Sequence, residues 1–147
     1  MLTKLPNSLI TLGSNAFYNA GTGVRIQALP TSLTAIGERG LAGCGNTSIT
    51  CLGSEAGDRP LSVGYRAFYN TGRANTEDTL YIYKGVDLQS NTSGEFNTFG
   101  GKTSYTTIAH IVIDSSVYAL LGGDDDAVVR NLLDKERTGN MTITQIN

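Results

Sequence analysis

Residues 13–19 are GSNAFYN, and residues 64–70 are GYRAFYN. Between them, residues 37–43 are GERGLAG, which keeps the leading glycine and has leucine in place of the phenylalanine. The leading glycines stand 24 and 27 residues apart. Periods of this length are typical of repeat architectures, in which each unit buries its apolar face against the next unit. The duplication therefore predicts a repeated fold rather than a duplicated binding site.

The similarity extends to both sides of these stretches. LPNSLITLGSNAFYNAG begins at Leu5, LPTSLTAIGERGLAGCG at Leu29, and the partial copy LSVGYRAFYNTG at Leu61. The longer second interval is explained by GSEAGDRP at residues 53–60, whose glycine, proline and charges predict an inserted surface loop. We expect the glycine to stand where the chain turns sharply. The matched positions are apolar or glycine, namely Leu5/Leu29, Leu9/Leu33, Leu12/Ile36/Val63, Gly13/Gly37/Gly64 and Phe17/Leu41/Phe68.

Short segments of β type lie between the copies. They are VRIQAL at 24–29, SITCL at 48–52, TLYIY at 79–83 and IAHIVID at 108–114. Because they recur about once per repeat, they predict a parallel ladder with one short strand per repeat.

The last forty residues follow a different pattern. DDDAVVRNLLDKE at 124–136 predicts a helix that is capped by its aspartates and ended by Gly139. The segment 109–121 predicts a strand followed by a turn, and MTITQI at 141–146 alternates as a strand does. A repeat array needs its open end covered, so these elements predict a strand-helix-strand cap at the C-terminus.

The repeats themselves resemble a known family. The patterns LPxSLxxLGxxAF in the first copy and LPxSLTxIGxxxLxGC in the second are similar to the BspA-type leucine-rich repeats, whose units run Ile-Pro, a spacer, Val/Leu-Thr-x-Ile-Gly, two residues, Ala-Phe and a later cysteine. The likeness covers about residues 5–85. Cys44 falls on the cysteine position of the family, where the other copies have Ala20 and Thr71, and Gly40-Leu41 replaces Ala-Phe.

The resemblance implies a curved solenoid, of α/β or mainly β class, that belongs to a surface protein and is not an enzyme. Its implied partners are another protein or a cell-surface ligand, and a homo-oligomer or a longer repeat array is the further possibility. Residues 1–88 would form the leucine-rich repeats and 108–147 the cap. Residues 89–107 would form a loop or a degenerate fourth repeat, with Phe99 at the position matched by Phe17, Leu41 and Phe68. All three form one structural domain.

Composition narrows the functional classes. The 147 residues carry a net charge of −2, with 16% charged residues, which gives no basic stripe for nucleic acid and no polybasic membrane patch. No run of 18 apolar residues occurs, so we expect no membrane insertion, and MLTKLPNSLITL lacks the pattern of an export signal. The resulting expectation is a cell-surface or secreted location as part of a longer protein, bacterial in origin, with a phage virion as the alternative.

Catalytic, metal and cofactor sites are not predicted. The single histidine, His110, lies in an apolar strand pattern and has no second histidine or nearby cysteine, which favours a structural role. The two cysteines, Cys44 and Cys51, are too isolated for a redox pair and predict buried thiols. Residues 124–126 could suggest calcium, but consecutive carboxylates at a helix start favour capping.

The aromatic residues carry the one binding signal, since tyrosine is favoured at interfaces. The Tyr-Asn pair that ends GSNAFYN and GYRAFYN is missing from GERGLAG, so it is dispensable for the repeat. The alternative is that these side chains pack against neighbouring repeats. The candidate binding residues are Tyr18, Asn19, Tyr69, Asn70, Tyr81 and Tyr83.

Overall fold

The computed structural model describes residues 1–73, 75–101 and 105–147 and has an α/β fold. Positions 102–104 of the predicted loop 89–107 lie outside the described residues. The described elements are two parallel sheets of short strands, followed late in the chain by two short helices. Their bounds are β1 Thr11–Leu12, β2 Ala35–Ile36, β3 Cys51–Leu52, β4 Leu61–Val63, β5 Thr79–Ile82, β6 Val86–Leu88, β7 His110–Asp114, α1 Ser115–Leu120, α2 Asp125–Leu133 and β8 Thr142–Ile146, with a 3-10 turn at Gly21–Gly23.

The strands form two separate sheets. The first has the order β1-β2-β4-β6 and the second β3-β5-β7-β8, and every pairing is parallel. From β2 to β7, consecutive strands alternate between the sheets. The prediction of one strand per repeat was therefore wrong, because the short segments directly before the leading glycines, which we had not predicted as strands, form β1, β2 and β4. These strands are two or three residues long, too short for an alternating pattern to be visible.

The repeated GxxxFxx stretches form a row of stacked corners. We call residues 13–20, 37–44 and 64–71 the first, second and third corners. Alternate N–H groups of each corner donate to carbonyls of the next, and residues 96–101 continue the pattern beyond the third corner. The donor and acceptor pairs are Asn15–Glu38, Phe17–Gly40 and Asn19–Ala42, then Arg39–Tyr65, Leu41–Ala67 and Gly43–Tyr69, then Arg66–Phe96, Phe68–Thr98 and Asn70–Gly100.

The leading glycines of the corners do not have the left-handed backbone conformation. Positive φ recurs at two places in each corner and in residues 96–101, at Asn15/Arg39/Arg66/Asn97 and at Asn19/Gly43/Asn70/Gly101. The leading glycine answers a different need: a Cβ on Gly37 would lie 2.4 Å from the Ser14 nitrogen, and one on Gly64 would lie 2.5 Å from the Glu38 nitrogen. Glycine is thus required at positions 37 and 64 because the corners stack closely. A turn does begin at each leading glycine, whose carbonyl accepts the N–H three residues later, but the left-handed backbone lies at the later positions.

The side chains at the matched position Phe17/Leu41/Phe68, together with the equivalent Phe99, are called the ladder side chains. They pack in or against the core. Leu41, Phe68 and Phe99 have no exposed surface, and the rings of Phe68 and Phe99 stack with centroids 5.1 Å apart. The Tyr105 ring meets Phe99 edge-on at 4.9 Å. The hydroxyl of Tyr105 donates to the Ile49 carbonyl at 2.6 Å, which ties this cluster to the segment before β3.

Two predicted features of the C-terminal region need correction. Residues 115–120, predicted as a turn, form helix α1, because the Asp114 carboxylate accepts the Ser116 N–H at 3.0 Å and caps it. Helix α2 ends at Leu133 instead of continuing to residue 136, because Asp134 takes the left-handed conformation at φ 52° and its N–H bonds to the Arg130 carbonyl. Gly139 therefore plays no part in ending the helix.

Candidate functional site

The outer face of the first sheet carries a row of small side chains. The register places Thr11, Ala35, Ser62 and Asp87 side by side, one from each strand. Their neighbours along the strands point inward and are buried, as alternation in a strand requires. Because strands lie about 4.8 Å apart, the row crosses roughly 14 Å of the sheet. Side chains this small leave the surface open above them.

A groove of about 680 Å³ lies over Thr11, Ala35 and Ser62 of this row. The beginnings of the three corners, including Ser14, Glu38 and Tyr65, form one side, and residues 89–92 form another. The Asn91 side chain shapes that second side, because its Oδ1 accepts the N–H groups of Ser93 and Glu95, both at 2.9 Å. Both sides of the groove are thus formed by backbone that is held by local hydrogen bonds.

The polar groups of the groove are mainly hydroxyls, with the one carboxylate of Glu38, and Asp87 lies beside the groove at the end of the row. Glu38 Oε1 accepts from Arg39 Nη1 at 3.2 Å, and Asp87 Oδ2 accepts from Gln89 Nε2 at 2.7 Å. Both carboxylates are exposed. The arrangement can exchange hydrogen bonds with a polar ligand and is weakly acidic.

The six residues predicted for binding lie outside this groove. Tyr18 and Asn19 end the first corner and Tyr69 and Asn70 end the third, so the second corner separates the two pairs. Asn19 and Asn70 adopt positive φ of 57° and 58°, the conformation that glycine takes at the equivalent Gly43. Asparagine tolerates this conformation better than most residues, so the fold itself accounts for both.

The tyrosines of the corners have different surroundings. Tyr18 is 49% exposed, whereas Tyr69 is half-buried, with the Arg66 guanidinium 4.2 Å from its ring centroid. Arg66 and Arg39 also lie over the Tyr65 ring, at 5.1 and 5.4 Å. Cation–π contacts of this kind stabilise the outer side of the corners. We had not predicted this cluster from the sequence; Arg66 contacts both tyrosines within the third corner, and Arg39 reaches Tyr65 from the second.

Tyr81 and Tyr83 belong to the second sheet, where β5 ends. Their rings stack with centroids 5.8 Å apart, and Tyr81 is 38% exposed. In register, Tyr81 stands beside Cys51 on one side and Val112 on the other. Of the six predicted binding residues, Tyr81 and Tyr83 thus have side chains that form a shared surface.

The two cysteines differ. Cys44 is fully buried and its Sγ donates to the Phe17 carbonyl at 3.2 Å. Burial raises the pKa of its thiol. Cys51 is exposed, which corrects the prediction that both thiols are buried. The cause is the register of β3, which points Leu52 inward and Cys51 outward.

His110 and the three aspartates have partners within the C-terminal region. His110 is exposed on β7, and its Nδ1 lies within hydrogen-bond distance of Thr142 Oγ1 on β8. Asp124 Oδ1 accepts the Ala127 N–H at 2.8 Å and caps α2, which confirms the predicted capping. Asp126 pairs with Arg137 at 2.8 Å, and the Tyr118 hydroxyl donates to Asp125 at 2.9 Å, which raises the pKa of that tyrosine.

The groove could have been predicted from the sequence if strands had been assigned directly before the leading glycines. Its floor residues directly precede the matched Leu12, Ile36 and Val63, so they are the outward positions of strands that pair across the repeats. Within residues 1–73, 75–101 and 105–147, no three His, Cys, Asp or Glu side chains are grouped to hold a metal ion. No helix in the same ranges has the length and apolar character needed to cross a membrane.

The chain was compared with protein-family models, with curated proteins and with solved structures, and nothing in any of the three matched it.

Proposed function

We propose that the chain is a non-catalytic recognition module whose repeats form a short solenoid of the BspA leucine-rich-repeat type. The observation that carries the proposal is the groove over the first sheet, floored by one small side chain from each of the three parallel strands β1, β2 and β4. Its partner would be a protein or a cell-surface ligand.

The repeated contacts support the solenoid. Corresponding residues of successive repeats pair in register in the first sheet, and the corners join through the same alternate N–H to carbonyl bonds each time. A chain that repeats its contacts in this way stacks its units along one axis. Together with the sequence resemblance, this favours the leucine-rich-repeat class.

The shape and chemistry of the groove favour binding. Small floor residues let an extended ligand approach the sheet closely, and flanking hydroxyls and the Glu38 carboxylate supply donors and acceptors at several points. Affinity then comes from many shallow contacts. A weakly acidic, hydroxyl-lined groove fits a polar ligand that is neutral or carries a modest positive charge better than it fits an anion.

The test uses a substitution that fills the groove. Ser62→Trp places an indole at the middle of the floor, and Thr144→Trp places one at an exposed position on β8 as the matched control. All three proteins are applied to a glycan array and to an array of extracellular-matrix proteins. We expect a ligand whose affinity falls at least tenfold with Ser62→Trp and is unchanged with Thr144→Trp. If the native chain binds nothing on either array, or if both variants bind as it does, the proposal is wrong.

A second candidate function is a structural subunit of a virion or another assembly. The first corner favours it, because among the described residues no backbone N–H donates to its Ser14, Ala16 and Tyr18 carbonyls. Size-exclusion chromatography with light scattering separates the candidates: a closed oligomer supports the subunit, and a stable monomer counts against it. The proposed location is the cell surface or outside the cell as part of a longer protein, with the virion as the alternative.

A further inference from the structure

The outer side of the first corner presents a row of hydrogen-bond acceptors. In the second corner, the carbonyls of Glu38, Gly40 and Ala42 accept N–H groups from the first corner. The equivalent carbonyls of the first corner belong to Ser14, Ala16 and Tyr18. In the described parts of the chain, no backbone N–H donates to these three. These three carbonyls therefore occupy the positions that accept hydrogen bonds in the second corner, but no described backbone N–H bonds to them.

The packing of side chains also shows that the outer side of the first corner is open. A Cβ on Gly37 or Gly64 would collide with the preceding corner, whereas a Cβ on Gly13 would meet no atom within 4 Å. Phe17 is only half-buried, although its equivalents Leu41 and Phe68 have no exposed surface. Gly13 and Phe17 therefore leave room for a neighbouring corner on the side that is open in this structure.

A second copy of this chain does not supply the missing donors. At the far end of the row, the central donor by the same pattern is the Phe99 N–H, which is already bonded to the Leu132 carbonyl of α2, and the adjacent Thr98 N–H bonds to the Asn131 carbonyl, so the helix covers this end. Two first corners placed against each other would bring acceptor against acceptor. The complementary partner is a corner that has the same orientation as the first and stands one step before it.

The path of the chain indicates how such a corner would be attached. Leu2 forms a parallel bridge with Val24, and its N–H donates to the Gly23 carbonyl at 2.8 Å. The segment at Val24 follows the first corner directly, so Leu2 holds the corresponding place one repeat earlier. A corner joined ahead of Met1 would therefore lie directly over the first corner.

We propose that the first corner is a docking site for one further repeat of the same kind, joined in line on the N-terminal side of residue 1. Its three alternate corner N–H groups donate to the carbonyls of Ser14, Ala16 and Tyr18, and its ladder side chain covers Phe17. The inference rests on the repeat architecture proposed above and is independent of the groove.

The test adds one period to the chain. A second copy of residues 1–24 is fused ahead of Met1, which places a duplicate first corner one step before the original. We expect the three duplicated amides, those of Asn15, Phe17 and Asn19, to be protected from hydrogen exchange as in the native chain, and Tm to rise by a few degrees. Hydrogen exchange followed by NMR reads each amide separately.

Gly13→Ala provides the decisive control. In the unextended chain the added methyl group meets open space, so Tm is expected to stay unchanged. In the extended chain the same methyl group would collide with the duplicated corner, as a Cβ on Gly37 would with Ser14, and we expect protection of the added amides to be lost. Gly37→Ala should destabilise both proteins and verifies that such a collision is measurable.

Two outcomes overturn the inference. One is an added repeat that exchanges as an unfolded peptide and leaves Tm unchanged. The other is a dimer of the native chain that Gly13→Ala dissociates in light scattering, which would assign the surface to a second copy. Neither outcome depends on ligand binding, so a failure of the array experiment and a failure of this one are distinguishable.

Discussion

Asn70 shows how a residue that suggests binding can be explained by backbone conformation. Its φ is 58°, and its N–H donates to the Gly100 carbonyl at 2.7 Å. Alanine in the left-handed region costs about 1 kcal/mol, whereas glycine adopts it freely. We expect Asn70→Ala to lower the free energy of unfolding by about 1 kcal/mol in urea titrations, and Asn70→Gly to leave it nearly unchanged. Equal losses in both variants would show instead that the amide side chain itself is needed.

Tyr105 gives a prediction on pH. The phenol is fully buried, its hydroxyl bonds both the N–H and the carbonyl of Ile49, and burial raises its pKa above the ordinary value of 10.0. The unfolded chain therefore loses this proton first as pH rises. The stabilisation is complete below pH 10 and declines above it, by up to about 1.4 kcal/mol per pH unit.

Tyr105→Phe tests this sign. At neutral pH the variant leaves two buried backbone groups without the hydroxyl and should lose about 1–3 kcal/mol. Above pH 10 its stability should fall less steeply than that of the native protein in urea titrations. Tyr18→Phe removes an exposed hydroxyl and serves as the control. A native stability that does not decline in this range would contradict the burial of the phenol.

At the scale of elements, α2 is coupled to the corners. Its Asn131 and Leu132 carbonyls accept the N–H groups of Thr98 and Phe99, so the helix end holds the segment that follows the third corner. Asp124→Ala removes the cap and should lower the free energy of unfolding by about 1 kcal/mol. Asp124→Ser keeps a capping oxygen and should retain most of the stability. Thermal unfolding followed by circular dichroism would measure both, and equal Tm values for the two variants would contradict the capping role.

The elements also show how far sequence reasoning reaches. The ladder positions and the strands β5, β7 and β8 were predictable, because they follow apolar periodicity over several residues. The strands β1, β2 and β4 were missed, since two or three residues carry no visible period and only pairing with the next repeat makes them strands. The groove was missed for the same reason. Its floor consists of the variable residues that an alignment of repeats sets aside.

At the scale of the molecule, one core cluster extends from Leu5 to Met141 without interruption. Contacts of each repeat are made chiefly with its neighbours, so stability should vary along the row of corners. The first corner has a neighbour on one side only, while the third lies between the second corner and residues 96–101. The first repeat is therefore expected to open locally before the rest unfolds.

Hydrogen exchange under native conditions measures this gradient. The amides of Phe17 and Phe68 donate to equivalent carbonyls, both at 2.9 Å, so their hydrogen bonds are matched and only their surroundings differ. We expect the Phe17 amide to exchange on the order of ten times faster than the Phe68 amide. Equal protection would mean that both amides open only through global unfolding and that the chain behaves as a single cooperative unit, which would contradict the expected gradient.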